Sequence, residues 1–228
     1  MRPLTGLSVV ECASFVAGPT GGMTLAQLGA SVIRIDPLGG GSDHHRWPVV
    51  GVGAGPDDAE SYYWASLNKG KRSVAVDMRS DAGRELVTAL ITAAGVLVDN
   101  VVGRRWMANA ALVAQRPDLI HVRVQGYPDG RPAVDYTVNA EVGIPQITGA
   151  EDGAAPVNHV LPAWDIATGL TAAPLWDTAM KVGDEVMLPQ PPEGRPCATI
   201  ATGQPAAVVL LRPRSEGRYA VERIVSVE

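Results

Sequence analysis

Apolar positions along the first 125 residues follow two alternating patterns, short continuous runs and runs with helical spacing. These patterns predict strands at 7–10, 31–35, 72–77, 96–98 and 119–124, of which 96–98 is expected to be buried and 72–77 shows Val74 and Val76 in alternation. Between the third and fourth runs, apolar residues recur four apart, as at Val87 and Ile91, and Ser80 is suited to cap the helix that they predict. Strands separated by helices in this order predict an α/β fold, an open parallel Rossmann-like sheet with crossover helices.

The pattern of the last fifty residues differs from that of the rest of the chain. Before them, the spacing predicts further helices at 23–28, 104–115, 135–147 and from 165 to about 173. After residue 175, prolines recur and only two strand-like runs remain, at 208–211 and 219–227. We therefore expect a first domain over 1–176 and a divergent, Pro-rich tail over 177–228 that is β-rich or irregular.

Composition and charge exclude several classes of protein. The chain has 228 residues, of which 46% are hydrophobic and 19% charged, so it can bury a sizeable core. With a net charge of −5 and no Lys/Arg cluster of the size that nucleic acid needs, no nucleic-acid partner is expected. No apolar run reaches the roughly 20 residues of a membrane span, so no membrane association is expected. Cys12 and Cys197 are predicted to be free thiols in a reducing cytoplasm.

The first strand is followed by a glycine-rich turn, a helix and a second strand that ends at Asp36. This arrangement imitates a dinucleotide-binding unit, in which a helix N-terminus holds the pyrophosphate and an acid binds the ribose. The glycines, however, are Gly18, Gly21 and Gly22, which do not fit G-x-G-x-x-G. A tight turn in an α/β domain is favoured over a nucleotide-dependent oxidoreductase.

Two polar segments carry open interpretations. The segment 68–73 places three cations beside a turn, where they would clamp a phosphate, clamp a substrate carboxylate or only be solvated. Adjacent His44 and His45 invite a metal interpretation, but no third ligand has suitable spacing, and no metal site is predicted.

Asp165 also has two interpretations. It precedes an apolar helical run, and Asp is a favoured N-cap residue. Alternatively, it is a carboxylate nucleophile at a helix N-terminus, where the helix dipole stabilises its anion and small neighbours leave room for a bulky acyl group. The sequence contains no G-x-S-x-G elbow or Ser-His-Asp arrangement that competes with it.

Taken in order, the segments resemble the N-terminal half of family III CoA-transferases. The matching pieces are 4–11, 17–19, 28–35, 68–77, 96–100, 117–120 and 162–170. The resemblance implies that Asp165 is the catalytic nucleophile and that Lys71 and Arg72 contact the CoA phosphates. It also places Gly18, Asn100, Arg104, Gln125 and Gly126 near the pantetheine arm. It implies an acyl-CoA substrate, no permanently bound cofactor and no metal, since coenzyme A enters as part of the substrate.

The stretches 22–30, 133–143 and 156–169 are similar to members that act within one branched, unsaturated C4 diacid. The implied reaction moves CoA from C1 to C4 of 2-methylfumaryl-CoA, through an enzyme thioester on Asp165. Members are homodimers of interlocked chains, so a homodimer is expected if the fold is complete. The chain after Leu175 does not match the family, which leaves an inactive CoA-binding homologue as an alternative. Another acyl-CoA transferase or an acyl-CoA racemase is a second alternative, although Val134 occupies the place of the racemase histidine.

Overall fold

The computed structural model describes residues 2–50, 60–127, 129–149, 155–181, 198–201, 207–214 and 218–226. Within these ranges the strands are β1 (Ser8–Cys12), β2 (Ser31–Asp36), β3 (Val49–Val50), β4 (Glu60–Ser61), β5 (Arg72–Ala75), β6 (Val96–Asp99), β7 (Ile120–Gln125), β8 (Ala198–Ala201), β9 (Ala207–Arg214) and β10 (Arg218–Ser226). The helices are α1 (Ala17–Gln27), α2 (Tyr62–Leu67), α3 (Asp81–Ala94), α4 (Asn109–Gln115), α5 (Asp135–Glu141), α6 (Ile144–Ile147) and α7 (Ala163–Lys181).

A six-stranded sheet in the order β5-β2-β1-β6-β7-β8 forms the centre of the molecule. Every neighbouring pair in it is parallel, and Val10 of β1 lies opposite Ile33 of β2 on one side and Leu97 of β6 on the other. Parallel neighbours need crossover connections, which the helices supply. The predicted fold class, an open parallel sheet with crossover helices, is therefore confirmed.

The sheet is covered by a hydrophobic core on each face. Successive residues of β1 point to opposite faces, so that Val9 packs with Leu25 of α1 while Val10 packs with Val87 and Ile91 of α3. All five of these side chains are buried. Burial on both faces explains why the central strands β1 and β6 contain continuous apolar runs in the sequence.

Several predicted helices have different bounds in the structure, and two of the differences have a clear local cause. The single helix expected at 135–147 is two helices, because Gly143 between them adopts the left-handed conformation with φ of 77°. Helix α1 begins at Ala17, six residues before the predicted start, and includes the glycine-rich turn as its first turns. Pro19 is tolerated there because the first helical amides have no intrahelical partner.

Glycines at the contact between α1 and α7 are required by close packing. A Cβ at Gly169 of α7 would overlap the carbonyl oxygen of Ala17 and lie 2.7 Å from Thr20 Cβ. A Cβ at Gly21 would lie 3.2 Å from the carbonyl oxygen of Gly169. The backbones of α1 and α7 thus approach one another directly, and this approach fixes where α7 begins relative to the sheet.

The tail contributes strands to the fold. Strand β8 pairs parallel with β7, while β9 and β10 form an antiparallel pair close to the two strand-like runs that the sequence predicts. Helix α7 runs past residue 176, and the domain boundary expected there stays a prediction. None of the helices in the described ranges has the length and apolar character needed to cross a bilayer.

We predict that Gly169→Ala lowers the stability of the fold although alanine is the better helix former. The helix propensity of alanine favours the variant by about 1 kcal/mol, but overpacking against the backbone of α1 costs about 1–3 kcal/mol or more. Urea denaturation should show a net loss, whereas Leu170→Ala, at an exposed position of the same helix, should change stability by less than about 0.5 kcal/mol. A Gly169→Ala chain more stable than the wild type would contradict the close contact.

Candidate active site

The N-terminus of α7 is capped by a residue that is distant in sequence. Asp165 is the third residue of this helix, not its N-cap. The carboxylate of Asp135 accepts hydrogen bonds from the backbone amides of Trp164, at 2.8 Å, and of Asp165, at 3.3 Å. Asp135 therefore satisfies the exposed amides that a local cap would otherwise satisfy. The interpretation of Asp165 as the N-cap is therefore wrong, because the carboxylate of Asp135 accepts the hydrogen bonds of the first helix amides.

Asp135 is itself held by a buried amide. Asn139, one turn further along α5, donates from Nδ2 to Asp135 Oδ1 at 3.2 Å and to Asn158 Oδ1 at 2.9 Å. Its Oδ1 accepts a hydrogen bond of 2.6 Å from the indole of Trp164. Both Asp135 and Asn139 are buried. This network joins α5 to α7 and fixes the first turn on which Asp165 stands.

The side chain of Asp165 is partly buried and chemically unengaged. In the part of the chain that the structure describes, its carboxylate makes no hydrogen bond and no ion pair. Burial and the negative charge of Asp135 raise the pKa of Asp165 to about 6, and the positive charge of Arg46 opposes this shift. A carboxyl group with this pKa is mostly ionised near pH 7 and mostly protonated near pH 5.

An aromatic and cationic wall lies beside Asp165. The guanidinium carbon of Arg46 is 4.8 Å from the ring centre of Tyr63 and 5.6 Å from that of Phe15. Burial is the main cause that raises the pKa of Tyr63 to about 12, and the charge of Asp165 adds to it. These three residues were not predicted from the sequence, because they come from separate loops and helix α2 with no shared motif.

Lys71 is engaged in a buried ion-pair network. Its Nζ donates to Glu11 Oε1 at 2.9 Å, to Asn68 Oδ1 at 2.8 Å and to the carbonyl of Pro19 at 2.9 Å, which uses all three of its N–H groups. Burial lowers the pKa of Lys71 and raises that of Glu11, and their ion pair opposes both shifts. The cation thereby holds β1, α1 and the 68–71 turn together, and the phosphate contact expected of Lys71 stays a prediction.

Arg34 is a second buried cation in the same network. Its guanidinium donates to Asp36 and Asp43, each at 2.8 Å, and to Asn68 at 3.1 Å. Ser73 donates to the other oxygen of Asp36 at 2.6 Å. Asp36 is thus buried and fully engaged, which removes the acid that a dinucleotide ribose would need.

Gly18 has a structural role that the sequence did not reveal. It is buried, and a Cβ there would overlap the side chain of Ala13. The glycine is thus required by packing against Ala13, and its expected contact with the pantetheine arm stays a prediction. Arg72, in contrast, is exposed, and its guanidinium donates to Ser31 Oγ at 2.6 Å.

The other predicted contacts lie near the carboxyl ends of the strands. Asn100 follows β6 and exchanges two hydrogen bonds, of 2.9 and 3.1 Å, with the backbone of Ser14, directly before Phe15. Gln125 ends β7 and donates to the carbonyl of Tyr127 at 2.9 Å. Arg104 donates to the carbonyl of Met78 at 3.3 Å. The structure thus brings Asn100 to the aromatic wall, whereas Arg104 reaches towards the loop before α3.

Gly126 connects the end of β7 with the site. A Cβ at this position would overlap the amide of Ala133 and lie 2.7 Å from the carbonyl oxygen of Arg131. The backbone of 131–133 therefore passes directly over Gly126 on its way to Asp135.

Among the described residues, no group of three or more His, Cys, Asp or Glu side chains is placed to hold a metal ion. The rings of His44 and His45 pack edge to face instead, 4.9 Å apart.

Comparison with known proteins gives consistent results. The profile described as CoA-transferase family III matches residues 4–176. The chain is 53% identical over 170 residues to 2-methylfumaryl-CoA isomerase of Chloroflexus aurantiacus, covering 73% of this chain and 40% of the relative. It is 33% identical to succinate–glutarate CoA-transferase of Agrobacterium fabrum, covering 74% and 44%. The chain therefore spans less than half the length of these curated relatives.

Solved structures agree with the fold. A crystal structure of a CAIB/BAIF family protein from Brucella suis superposes with a TM-score of 0.71 at 32% identity, covering 79% of this chain and 50% of that one. An orthorhombic crystal structure of Rv3272 from Mycobacterium tuberculosis superposes with a TM-score of 0.72 at 25% identity. That match covers 89% of this chain and 56% of the other.

We predict that Asp135→Asn lowers the pKa of Asp165, because the neighbouring negative charge disappears while an amide oxygen still accepts from the helix. Carboxyl carbon NMR titration of the folded chain measures this directly. Asp129→Asn is the matched control, since Asp129 is exposed and paired with Arg131 at 2.8 Å. An unchanged or raised pKa of Asp165 in Asp135→Asn would show that the two carboxylates do not interact.

We also predict that Asp165→Asn changes the pH dependence of stability. A carboxyl group whose pKa is raised in the folded state destabilises the fold as pH rises through that pKa. Relative to the wild type, Asp165→Asn should gain about 1–2 kcal/mol between pH 4 and pH 7, allowing for solvent screening at this partly exposed site. Denaturant unfolding at both pH values measures the free energy of unfolding of each chain. If the two chains differ by the same amount at pH 4 and pH 7, the pKa of Asp165 is not raised by folding.

Proposed function

The chain belongs to CoA-transferase family III, and on this premise we propose that it transfers CoA between carboxylates through a thioester on Asp165. The observation that carries the proposal is the capping of α7 by Asp135. Because the helix amides are already satisfied, the Asp165 carboxylate is free to attack. A carboxylate needed only as a cap would accept those amides itself.

The proposed reaction consists of four successive acyl transfers. The Asp165 carboxylate attacks the thioester carbonyl of the substrate, and CoA leaves as a thiolate from the mixed anhydride. The thiolate attacks the aspartyl carbonyl of Asp165, which releases the substrate carboxylate and forms the enzyme thioester. A second carboxylate attacks that thioester, again forming an anhydride and a thiolate. The thiolate then attacks the substrate carbonyl, which yields the new thioester and restores Asp165.

The environment of Asp165 suits this cycle. The dipole at the start of α7 stabilises the carboxylate that departs from each anhydride. Partial burial limits attack by water on the anhydride and the thioester. The raised pKa makes the carboxylate a better nucleophile when ionised, while it stays mostly ionised near neutral pH. The charge of Asp135 contributes to the raised pKa, and its hydrogen bonds to the helix amides leave the Asp165 carboxylate unengaged.

We further propose that the two carboxylates belong to one molecule, so that CoA moves from C1 to C4 of 2-methylfumaryl-CoA. Support comes from the relative of Chloroflexus aurantiacus with that name. Holding both carboxylates in one molecule removes the entropic cost of a second encounter. Because the chain spans 40% of that relative, a CoA-binding homologue without turnover is the competing candidate.

Coenzyme A is proposed to lie along the carboxyl ends of β6 and β7. Asn100, Gln125 and Gly126 are at these ends, where ligands of open parallel sheets bind. Arg104 is proposed to contact the pantetheine arm and the exposed Arg72 a phosphate. A homodimer, a cytoplasmic location and the separate role of 177–228 are retained as proposals for the complete protein. No permanently bound cofactor enters the scheme, because the thiol of CoA arrives with the substrate.

Replacement of Asp165 by asparagine tests the proposal. Asp165→Asn should lower turnover of 2-methylfumaryl-CoA by at least about 1000-fold, since an amide cannot form the anhydride. CoA affinity should stay nearly constant, because the covalent role acts on the transition state. During wild-type turnover, hydroxylamine should convert Asp165 to a hydroxamate that peptide mass spectrometry locates.

Asp118→Asn is the matched control. Asp118 Oδ1 lies 3.2 Å from Arg116 Nε, in an ion pair that includes none of the site residues. It should turn over substrate at the wild-type rate. An active Asp165→Asn chain would exclude the nucleophilic role. If the folded wild-type chain binds CoA but gives neither turnover nor hydroxamate, the chain is a CoA-binding homologue without turnover.

A further inference from the structure

Arg46 has a cationic head group that is unpaired among the described residues. It is exposed, and none of the ion pairs in the described ranges includes it. It contrasts with Arg34, whose guanidinium is buried and neutralised by several carboxylates. The five N–H donors of the Arg46 guanidinium are thus available to an incoming anion.

The position of Arg46 is nevertheless fixed by its backbone and its rings. Its amide donates to the carbonyl of Asp43 at 3.2 Å, and its carbonyl accepts from Ser61 Oγ at 2.5 Å. Ser61 also caps helix α2, which carries Tyr63, by accepting from the amide of Trp64. The guanidinium and the Tyr63 ring, 4.8 Å apart, are therefore positioned from the same short segment.

Phe15, the second ring that the guanidinium contacts, is held by the buried network. Its amide donates to Asp43 Oδ2 at 3.1 Å, and the same oxygen accepts from Arg34 at 2.8 Å. Phe15 adopts a φ of 69°, which is uncommon for a residue other than glycine. A backbone held in this conformation needs surrounding contacts to maintain it, and such residues cluster at ligand-binding sites. Asp43 supplies the contact and thereby sets where the ring meets Arg46.

Arg46 and Tyr63 both interact electrostatically with Asp165. The charge of Arg46 acts on Asp165, and the charge of Asp165 acts on Tyr63. No ion pair within 4.0 Å joins Arg46 to Asp165. The Tyr63 hydroxyl is buried and has no hydrogen-bond partner among the described residues. An unfilled donor and an unpaired cation beside a nucleophile favour a small anion as the occupant.

We propose that Arg46, assisted by the Tyr63 hydroxyl, binds the free carboxylate of a dicarboxylic acyl-CoA and so selects diacid over monoacid thioesters. This rests on the proposed function, in which Asp165 takes the thioester end of the same substrate. A phosphate of CoA is a poorer occupant, because the pantetheine arm separates the phosphates from the thioester that must reach Asp165. The guanidinium fork matches a carboxylate through two parallel N–H···O bonds.

This assignment gives Arg46 a part in both halves of the exchange. When CoA is on C1, the cation holds the carboxylate at C4; after the exchange, it holds the carboxylate at C1. The substrate therefore keeps one charged end bound while the other end reacts at Asp165. Since an acyl group with only one carboxyl has no charged end to bind, Arg46 distinguishes the two classes by a charge-assisted contact.

Binding to chains that cannot turn over tests the proposal. Calorimetry compares 2-methylfumaryl-CoA with 2-methylcrotonyl-CoA, in which a methyl group replaces the free carboxylate, on Asp165→Asn alone and on the same chain with Arg46→Gln. The added Arg46→Gln should weaken 2-methylfumaryl-CoA about 10- to 100-fold and leave 2-methylcrotonyl-CoA within about twofold. Arg79→Gln is the matched control, because Arg79 is exposed and paired with Asp77 at 3.0 Å, and it should change neither affinity.

Equal weakening of both thioesters by Arg46→Gln, or weakening of neither, overturns the proposal. So does a chain that binds the two equally well or binds neither. The hydroxamate on Asp165 is a separate result. If it forms while Arg46→Gln leaves binding unchanged, only the role of Arg46 is lost. If Arg46→Gln selectively weakens 2-methylfumaryl-CoA while no hydroxamate forms, the carboxylate site stands and the covalent role of Asp165 is rejected.

Discussion

The buried guanidinium of Arg34 is the constraint on which the rest of the structure depends. An arginine that is 1% exposed must have its charge and its donors satisfied inside the protein. The partners come from β1, β2, the loop after β2 and the turn at 68–71: Glu11, Asp36, Asp43 and Asn68. Each of these segments is therefore held in place by a group that would be costly to leave unpaired. Lys71 extends the same network to α1 through the carbonyl of Pro19.

This network connects the interior to the site through Asp43. One of its oxygens receives both the Arg34 guanidinium and the amide of Phe15, and its carbonyl receives the amide of Arg46. The loop that carries Arg46 would otherwise be exposed chain with few apolar contacts. The buried charge thus gives positional order to residues that are themselves at the surface, as a binding site requires.

A second long-range interaction orients Asp165, the proposed nucleophile. Helix α7 is located by its glycine contact with α1 and is capped by Asp135 from α5. The cap is a carboxylate, so it both satisfies the helix amides and raises the pKa of the neighbouring Asp165. One side chain therefore separates the structural role of an acid at a helix start from the chemical role. That separation explains how Asp165 remains unengaged although it stands in the first turn.

The sequence by itself determined the parallel α/β fold and the strand positions, because burial of the sheet and helical spacing leave local patterns. It also singled out Asp165, because an acid directly before an apolar helical run is visible in the sequence. It could not determine which acid caps α7, since the cap crosses 30 positions of sequence, nor that Lys71 is buried while Arg72 is exposed. It also did not indicate that Gly18 and Gly21 serve packing, or that Phe15, Arg46 and Tyr63 form one wall. Those properties depend on which segments meet in space, and contacts between distant segments have no local periodicity to reveal them. Only the tertiary structure therefore decided which charges are consumed by the fold and which are left for a ligand.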